Sequence, residues 1–516
     1  MGHAHSRGAA TRAEPPETAD VVVIGSGAGG APAAARLAEN GARVVLLEAG
    51  PDYGPFSRDA WPHDLLDASS ITDSHDWGHS SERQISGRVI AFERARVLGG
   101  CTAHNGAIQI RGHREDYDNW VALGNPGWDT ASMQQRFEAA EERLGVWTYA
   151  VDDLTPFQRS LLEGAPSAGL PILETINDLD EDIGAAPETV NIRDGVRWNA
   201  AFAYLDPVRH LTNLTIYGDA LVDRLVIRGG RAIGVRLSTP SGRRTIAAGT
   251  IVLAAGAYGT PAILQRSGVG PPDVLRSAGV DLLIAAPVGE NLHDQAFISI
   301  ELAGSDALQA AMTGFAKERG WAPDEQVIMK ARSAMADSAF DVHVFPWSPP
   351  GPRGRRRWFI GGACLTPRSR GVVAIHSGDP ERQPRIDNAF LSDAEGYDIG
   401  ALRWLLDLFR ELAATPSARA LIGPEIGASA QARDASSIDA FLRSTVSHYW
   451  HPQGSCRMGP DHDPGAVCTP RGAVRGLENV LVADAALIPE APRGFPMLPT
   501  IAIAENVSQW LIEDSP

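Results

Sequence analysis

The segment Asp20 to Glu48, DVVVIGSGAGGAPAAARLAENGARVVLLE, constrains this chain more than any other. Asp20 to Ile24 is a short apolar run of the kind that becomes a buried strand, and Gly25, Gly27 and Gly30 follow it at the G-x-G-x-x-G spacing. The glycines answer separate needs: a tight turn at Gly25, bare backbone against a pyrophosphate at Gly27, and close helix-to-strand contact at Gly30. Ser26 sits inside that turn, and the helix beyond it turns free N–H groups toward a phosphate. Pro32 falls in the first helical turn, where its missing N–H costs nothing. Asn40-Gly41 closes the helix before a second strand, Arg43 to Leu47. Glu48 ends that strand at about the distance from the first glycine at which an acid accepts ribose hydroxyls. Strand, helix, strand and acid in this order predict a Rossmann-like α/β fold around a dinucleotide, without saying which dinucleotide.

The rest of the 516 residues leave room for further lobes, and 44% hydrophobic against 21% charged is the balance of an ordinary globular protein. Lys plus Arg number 46 against 63 Asp plus Glu, so the net charge is −17. That acidity speaks against a general nucleic-acid binder or a binder of anionic membranes. No apolar run reaches spanning length. Cys101, Cys364, Cys456 and Cys468 are scattered without a C-x-x-C pair, which predicts neither a disulfide framework nor a zinc site and favours a reducing, cytoplasmic setting. Residues 1 to 18 lack an apolar core segment and read as a disordered tail rather than a secretory signal. His3 and His5 within it read as solvated, so no metal site is expected.

From Asp52 to Gly87 the chain is irregular, with Trp61 and Trp77 as isolated anchors, and reads as a long loop or lid near the cofactor. Then comes Arg94-Ala95-Arg96-Val97-Leu98-Gly99-Gly100-Cys101-Thr102-Ala103-His104-Asn105-Gly106, in which a Gly-Gly pair and small residues let backbone lie against an extended ligand. This run resembles the first signature of the glucose-methanol-choline (GMC) oxidoreductases, FAD-dependent enzymes that mostly oxidise alcohols. The resemblance implies that Leu98, Gly99, Gly100, Thr102, Asn105, Gly106 and Ile108 lie beside FAD. GGCTAHN is also similar to the choline oxidase version of the loop, which implies a covalent bond from His104 to the flavin. A histidine that only packs or hydrogen-bonds near the ring is the other reading of His104.

Residues 128 to 170 carry helical spacing with interruptions. Leu214 to Tyr217, Ala220 to Val222 and Gly234 to Leu237 read as strands, with Gly229-Gly230 as a turn. Family likeness assigns Val222 to the adenine. Ile251 to Ala257 reads as another buried strand, and the run from Tyr258 to Gly270 is similar to the second GMC signature. Val288 to Asp294 adds to the match, although the family usually continues with His where this chain has Gln295. From Phe297 to Val446 the pattern changes: Asp341 to Phe345 and Gly371 to His376 read as strands of a separate antiparallel sheet. Ser392 and Glu395 form a capping-box pattern ahead of a helix with Ile399, Leu402, Leu405, Leu406, Phe409 and Leu412 on one face. By position this is the substrate lobe, with His343 and Phe345 facing either the pocket or the lobe's core. Arg353 to Arg357 is a basic cluster that reads mainly as a solvated loop. The expected division is a tail (1–18), an FAD-binding domain (19–150, 196–296 and 447–516) and a substrate-binding domain (151–195 and 297–446).

The C-terminal stretch His448-Tyr449-Trp450-His451-Pro452 returns to the cofactor. The resemblance implies His451 as catalytic base, with Asp484, Ala485, Pro496 and Met497 along the flavin. Histidine suits the task because alcohol oxidation removes an O–H proton near neutral pH. Pro499 can start a last helix whose positive end favours a reduced flavin. The family places a second polar residue ten positions before the glutamate of that helix, Glu505, and here the position holds Phe495. Either His448 or Tyr449 replaces it, or His451 acts alone, or the pocket serves a bulky apolar substrate. The expected function is FAD-dependent oxidation of a small-molecule alcohol, with oxygen or another carrier reoxidising the flavin. A GMC-fold lyase or decarboxylase is the alternative. The oligomeric state is not legible.

Overall fold

The computed structural model describes residues 15–84 and 87–514, without the side chain of residue 353. Most of the expected tail, including His3 and His5, lies outside the described residues, and Thr18 already belongs to a strand.

Two sheets organise the chain. In the first, Leu214–Tyr217, Val44–Leu47, Thr18–Ile24 and Gly242–Leu253 lie parallel in that order. The long strand Gly242–Leu253 also pairs antiparallel with Arg231–Thr239 toward its start and parallel with Val480–Val482 at its end. Leu221–Arg228 completes the hairpin across Gly229 and Gly230, both with positive φ, as the Gly-Gly pair required. Val22 and Val23 have no exposed surface, because helices cover the parallel strands, as unbroken apolar runs demand. Gly30–Glu39 and Met497–Glu513 pack together there.

The second sheet is antiparallel: Ile422–Ile426, Ala296–Gly304, Trp358–Cys364, Val342–Trp347, Val327–Ala331 and Gly184–Pro187. Ser447–His448, expected at the head of the last nucleotide-binding segment, pairs instead with Ala296–Gly304 in this sheet. The helix Tyr397–Ala414 covers one face with the residues its spacing named, all buried. Its start differs from expectation. Gly396, at φ +69°, caps it, and Asp393 accepts the Tyr397 N–H at 2.6 Å, while Glu395 is drawn to Arg368. The Ser392/Glu395 pattern loses to the neighbouring Asp393 and Gly396 and to the tertiary pull of Arg368. Gly371 to His376 also departs: only Val372–Ala374 is strand, in a separate ribbon with Arg385–Asp387. Within the basic cluster, Arg355, Arg356 and Arg357 pair with Asp306, Asp324 and Glu301.

Candidate active site

A cavity of about 950 Å³ runs between the two sheets, at the upper end of the roughly 300–1,000 Å³ typical of ligand sites. One end is built by the opening segment. Gly25 (φ +94°) turns so tightly that an added Cβ would lie 2.3 Å from the Ala254 carbonyl oxygen, and one on Gly30 would lie 1.8 Å from that of Gly25. Gly25, Ser26, Gly27 and Glu48 all border the cavity; Gly30 acts behind it, by packing. Glu48 accepts hydrogen bonds from Ser26 Oγ (2.6 Å), Ser26 N (3.1 Å) and Gly50 N (2.8 Å), while burial raises its hold on a proton.

The Gly-Gly loop folds as a single 3₁₀ turn, Gly100–Ala103, pressed against the first glycine turn. A Cβ on Gly100 (φ +53°) would come within 2.8 Å of Gly27 Cα. Gly100, Thr102, His104, Asn105, Gly106 and Ile108 line the cavity. Leu98 and Gly99 do not, contrary to expectation. Leu98 is fully buried in the core, and Gly99 packs on the Asn199 side chain, because the tight turn swings the chain inward only from Gly100 onward. His104 is buried and kept neutral by that burial and by Arg197 and Arg94, with Nε2 against the Ser74 carbonyl. Arg197, with no exposed surface, donates to six carbonyls, among them Leu65 (2.8 Å), Asp67 (2.9 Å) and Ala103 (3.2 Å). It thereby ties the loop read as a lid to the His104 turn.

Val222, Asp484, Ala485, Pro496 and Met497 complete this part of the wall. Asp484 receives Gly256 N (2.8 Å), Thr260 Oγ1 (2.6 Å) and Ala486 N (2.8 Å), and burial pushes its pKa up to about 6.

His451 borders the cavity just beyond Trp450, whose φ of +60° is strained for a bulky residue. That kink is clamped from two sides. Asp294 Oδ1 accepts the N–H groups of Tyr449 and His451, both at 3.1 Å, and Arg94 donates to the Trp450 carbonyl at 3.0 Å. The His451 ring is held by Gln295, whose Oε1 lies 2.6 Å from Nδ1. Gln295 Nε2 donates to the Leu365 (3.2 Å) and Pro492 (3.1 Å) carbonyls, so its oxygen has to face the histidine. A carbonyl oxygen accepts only, so Nδ1 carries the proton and Nε2 keeps its lone pair. Burial first, then Arg94, holds His451 well below the usual histidine pKa.

Phe495 lies 4.8 Å from the His451 ring, centroid to centroid, and lines the cavity. His448, considered as its replacement, does not border the cavity. Its pairing with Ala296 turns it onto Phe92 (5.0 Å) and Trp450 (4.9 Å). Tyr449 does line the cavity, as does Phe345; His343 is fully buried beside Phe340. Sequence reasoning gave no role to Asp294, Gln295 or Arg94. The one local signal was glutamine at a place where the family carries histidine.

Residues 19–297 match the N-terminal and 367–504 the C-terminal GMC oxidoreductase profile. The chain belongs to the GMC oxidoreductase family. It is 31% identical to mitochondrial choline dehydrogenase of Homo sapiens, over 94% of this chain and 88% of that one. Oxygen-dependent choline dehydrogenase of Brucella suis is 29% identical, with 96% of both covered. Among solved structures, pyridoxine 4-oxidase from Mesorbium loti superposes with TM-score 0.85 at 28% identity, covering 96% of this chain and 100% of the other. As a GMC oxidoreductase the protein is an FAD-dependent enzyme that oxidises an alcohol. Nothing in these likenesses supports a lyase or decarboxylase. No helix among the described residues is long and apolar enough to cross a membrane, and the four cysteines are free.

Proposed function

We propose that His451 is the base of the oxidation and that Gln295 fixes the tautomer in which it works. The observation that carries this reading is the Gln295 amide, whose two carbonyl partners leave only its oxygen for His451 Nδ1. Nε2 is then free to take the alcohol proton as hydrogen leaves the adjoining carbon with its electron pair. Bound FAD supplies the acceptor for that hydride at N5. Burial and Arg94 keep the ring neutral, the state a base requires. Phe495 offers neither donor nor acceptor, so His451 alone holds the reacting oxygen and the adjoining wall favours an apolar substrate group.

The same reading assigns the ADP half of FAD to Gly25, Ser26, Gly27, Glu48 and Val222. It assigns the flavin half to Gly100 through Ile108 with Asp484, Ala485, Pro496 and Met497. Leu98, Gly99 and Gly30 support that wall from behind. Segments 19–150, 196–296 and 447–516 form the cofactor part, and 151–195 with 297–446 the substrate part. His104, buried and neutral, keeps a ring nitrogen able to bond carbon and is our candidate for covalent attachment. Acid-precipitated protein should then keep its yellow colour; complete release of the colour would contradict the link.

The function is tested by anaerobic mixing of holoenzyme with an alcohol panel that includes choline and pyridoxine, the compounds in the relatives' names. Lasting loss of the flavin's visible band supports oxidation; product formed without bleaching overturns it. Peroxide release against dye reduction identifies the acceptor.

A further inference from the structure

Side chains alternate along the strand Val342–Trp347, so His343, Phe345 and Trp347 share one face and Val342 and Val344 the other. Phe345 and Trp347 border the cavity, whereas Val342 and Val344 are buried in the core beneath the helix Tyr397–Ala414. His343 is the member of the cavity-facing set that does not reach the cavity, and it has no exposed surface. Phe495 stands against it there. The Phe495 ring lines the cavity, lies 5.7 Å from the His343 ring with the planes 73° apart, and lies 4.8 Å from the ring of His451.

A second observation falls on the same ring. Neither nitrogen of His343 meets a hydrogen-bond partner among the described residues. A neutral imidazole carries one N–H and one lone pair, and burying both unpaired is costly. An internal water could serve them only with about two to four polar partners of its own. The surroundings are poor in these: Phe340 stacks on His343 at 5.6 Å, Phe495 stands edge-on, and the residues opposite it in the neighbouring strands are Ala363 and Lys330. Lys330 directs its amine to the Asp178 and Glu181 carbonyls, both at 3.4 Å, and over the Phe340 ring.

Burial first, then the charge of Lys330, keeps His343 neutral. It therefore has no charge to offer a carboxylate, while one donor and one acceptor match a hydroxyl. Phe495 packs on both His343 and His451, so a substrate ring taking the place of the Phe495 ring touches both histidines. The Phe495 N–H is tied to the Ile110 carbonyl at 3.0 Å, so the backbone stays in place while the half-buried ring turns aside about its own side-chain bonds. The geometry points to His343 as a specificity-determining residue that, once the Phe495 ring turns aside, binds a second hydroxyl of the substrate one aromatic ring away from the carbinol at His451. This rests on the cavity being the alcohol-oxidising site, and it names the substrate class: an aromatic alcohol with a hydroxyl across the ring from its carbinol. The reacting oxygen stays with His451 alone.

The test compares 4-hydroxybenzyl alcohol with 4-methylbenzyl alcohol, alike in shape but for the distal hydroxyl, using FAD-loaded wild type, His343→Phe and His343→Gln. The electronic effect of the substituent on the carbinol is common to the three proteins, so a change in the ratio of the two kcat/KM values isolates the contact. His343→Phe should lower that ratio about five-fold or more, the scale of one buried hydrogen bond. His343→Gln, which keeps a donor and an acceptor, should hold part of it. An unchanged ratio in His343→Phe overturns the subsite. A crystal structure of wild type with 4-hydroxybenzyl alcohol or its aldehyde bound needs no variant. The phenolic oxygen within hydrogen-bond reach of His343, with the Phe495 ring displaced, supports the subsite; a Phe495 ring left against His343 overturns it. Binding of p-cresol, which has no carbinol to oxidise, is measured in parallel by calorimetry. If neither alcohol is oxidised while His343→Phe weakens p-cresol binding, the subsite stands and the oxidation reading fails. If both alcohols are oxidised while neither their ratio nor p-cresol binding depends on His343, the reverse holds.

Discussion

His451 depends on residues that hold it more than on its own chemistry. Because its proton affinity is depressed by burial and by Arg94, it stays neutral as pH falls through the ordinary histidine range near ~6.5. It charges only well below that. Base catalysis is therefore expected to be flat across neutral pH, with its acid limb well under the usual value. Arg94→Gln removes a cation and should move that limb upward. The pH dependence of anaerobic flavin reduction reads both, and a wild-type limb at or above the ordinary value would contradict the account. Gln295→Leu frees the ring to flip and take the wrong tautomer, so the reduction rate should drop roughly ten-fold or more, the scale on which a histidine's outer partner matters. A change confined to KM would count against the tautomer role. At this scale Phe495 and Gln295 were legible as departures from a family pattern. The role of Gln295 was not, because it is set by the Leu365 and Pro492 carbonyls, which come from distant stretches. His448 failed for a related reason: its direction is decided by pairing with Ala296.

The elements around the two glycine turns were the most legible, because their constraints are largely local. Gly25 is demanded by a turn at φ +94° and Gly30 by a close approach to the Gly25 carbonyl, both within one strand-helix unit, although the Ala254 carbonyl that also bars a Cβ at Gly25 comes from just past the end of a distant strand. Gly30→Ala is expected to reduce stability by at least ~1–3 kcal/mol, since its Cβ would have to displace the Gly25 carbonyl. Thermal melting of the apoprotein measures this, and an unchanged midpoint would contradict the packing role. Gly100→Ala strikes the contact between the two glycine turns. We expect folded protein that retains far less FAD after dialysis, seen as loss of flavin absorbance per polypeptide; full retention would remove the contact from the account. The helix Tyr397–Ala414 shows the limit of local reading. Its buried face follows from periodicity, but its first residue is chosen by Asp393 and Gly396 and by the pull of Arg368 on Glu395. Asp393 and Gly396 lie within residues 392–399, but Arg368, which draws Glu395 away, does not.

In the whole molecule, one sheet carries the glycine turn and the other carries aromatic rings, and the cavity lies where they meet. That division was readable because apolar parallel strands and alternating antiparallel strands leave different traces in sequence. The meeting itself was not, since Arg94, Asp294, Gln295 and His451 are separated by up to several hundred residues and converge only through tertiary packing. The account's central claim is that this convergence makes His451 the base that drives hydride loss from an alcohol. Its most direct test is anaerobic stopped-flow mixing of FAD-loaded wild type and His451→Ala with the best alcohol from the panel. Wild type should bleach the flavin lastingly. His451→Ala, with FAD content unchanged, should do so about 10²–10⁴-fold more slowly. Equal bleaching rates in the two proteins would contradict it.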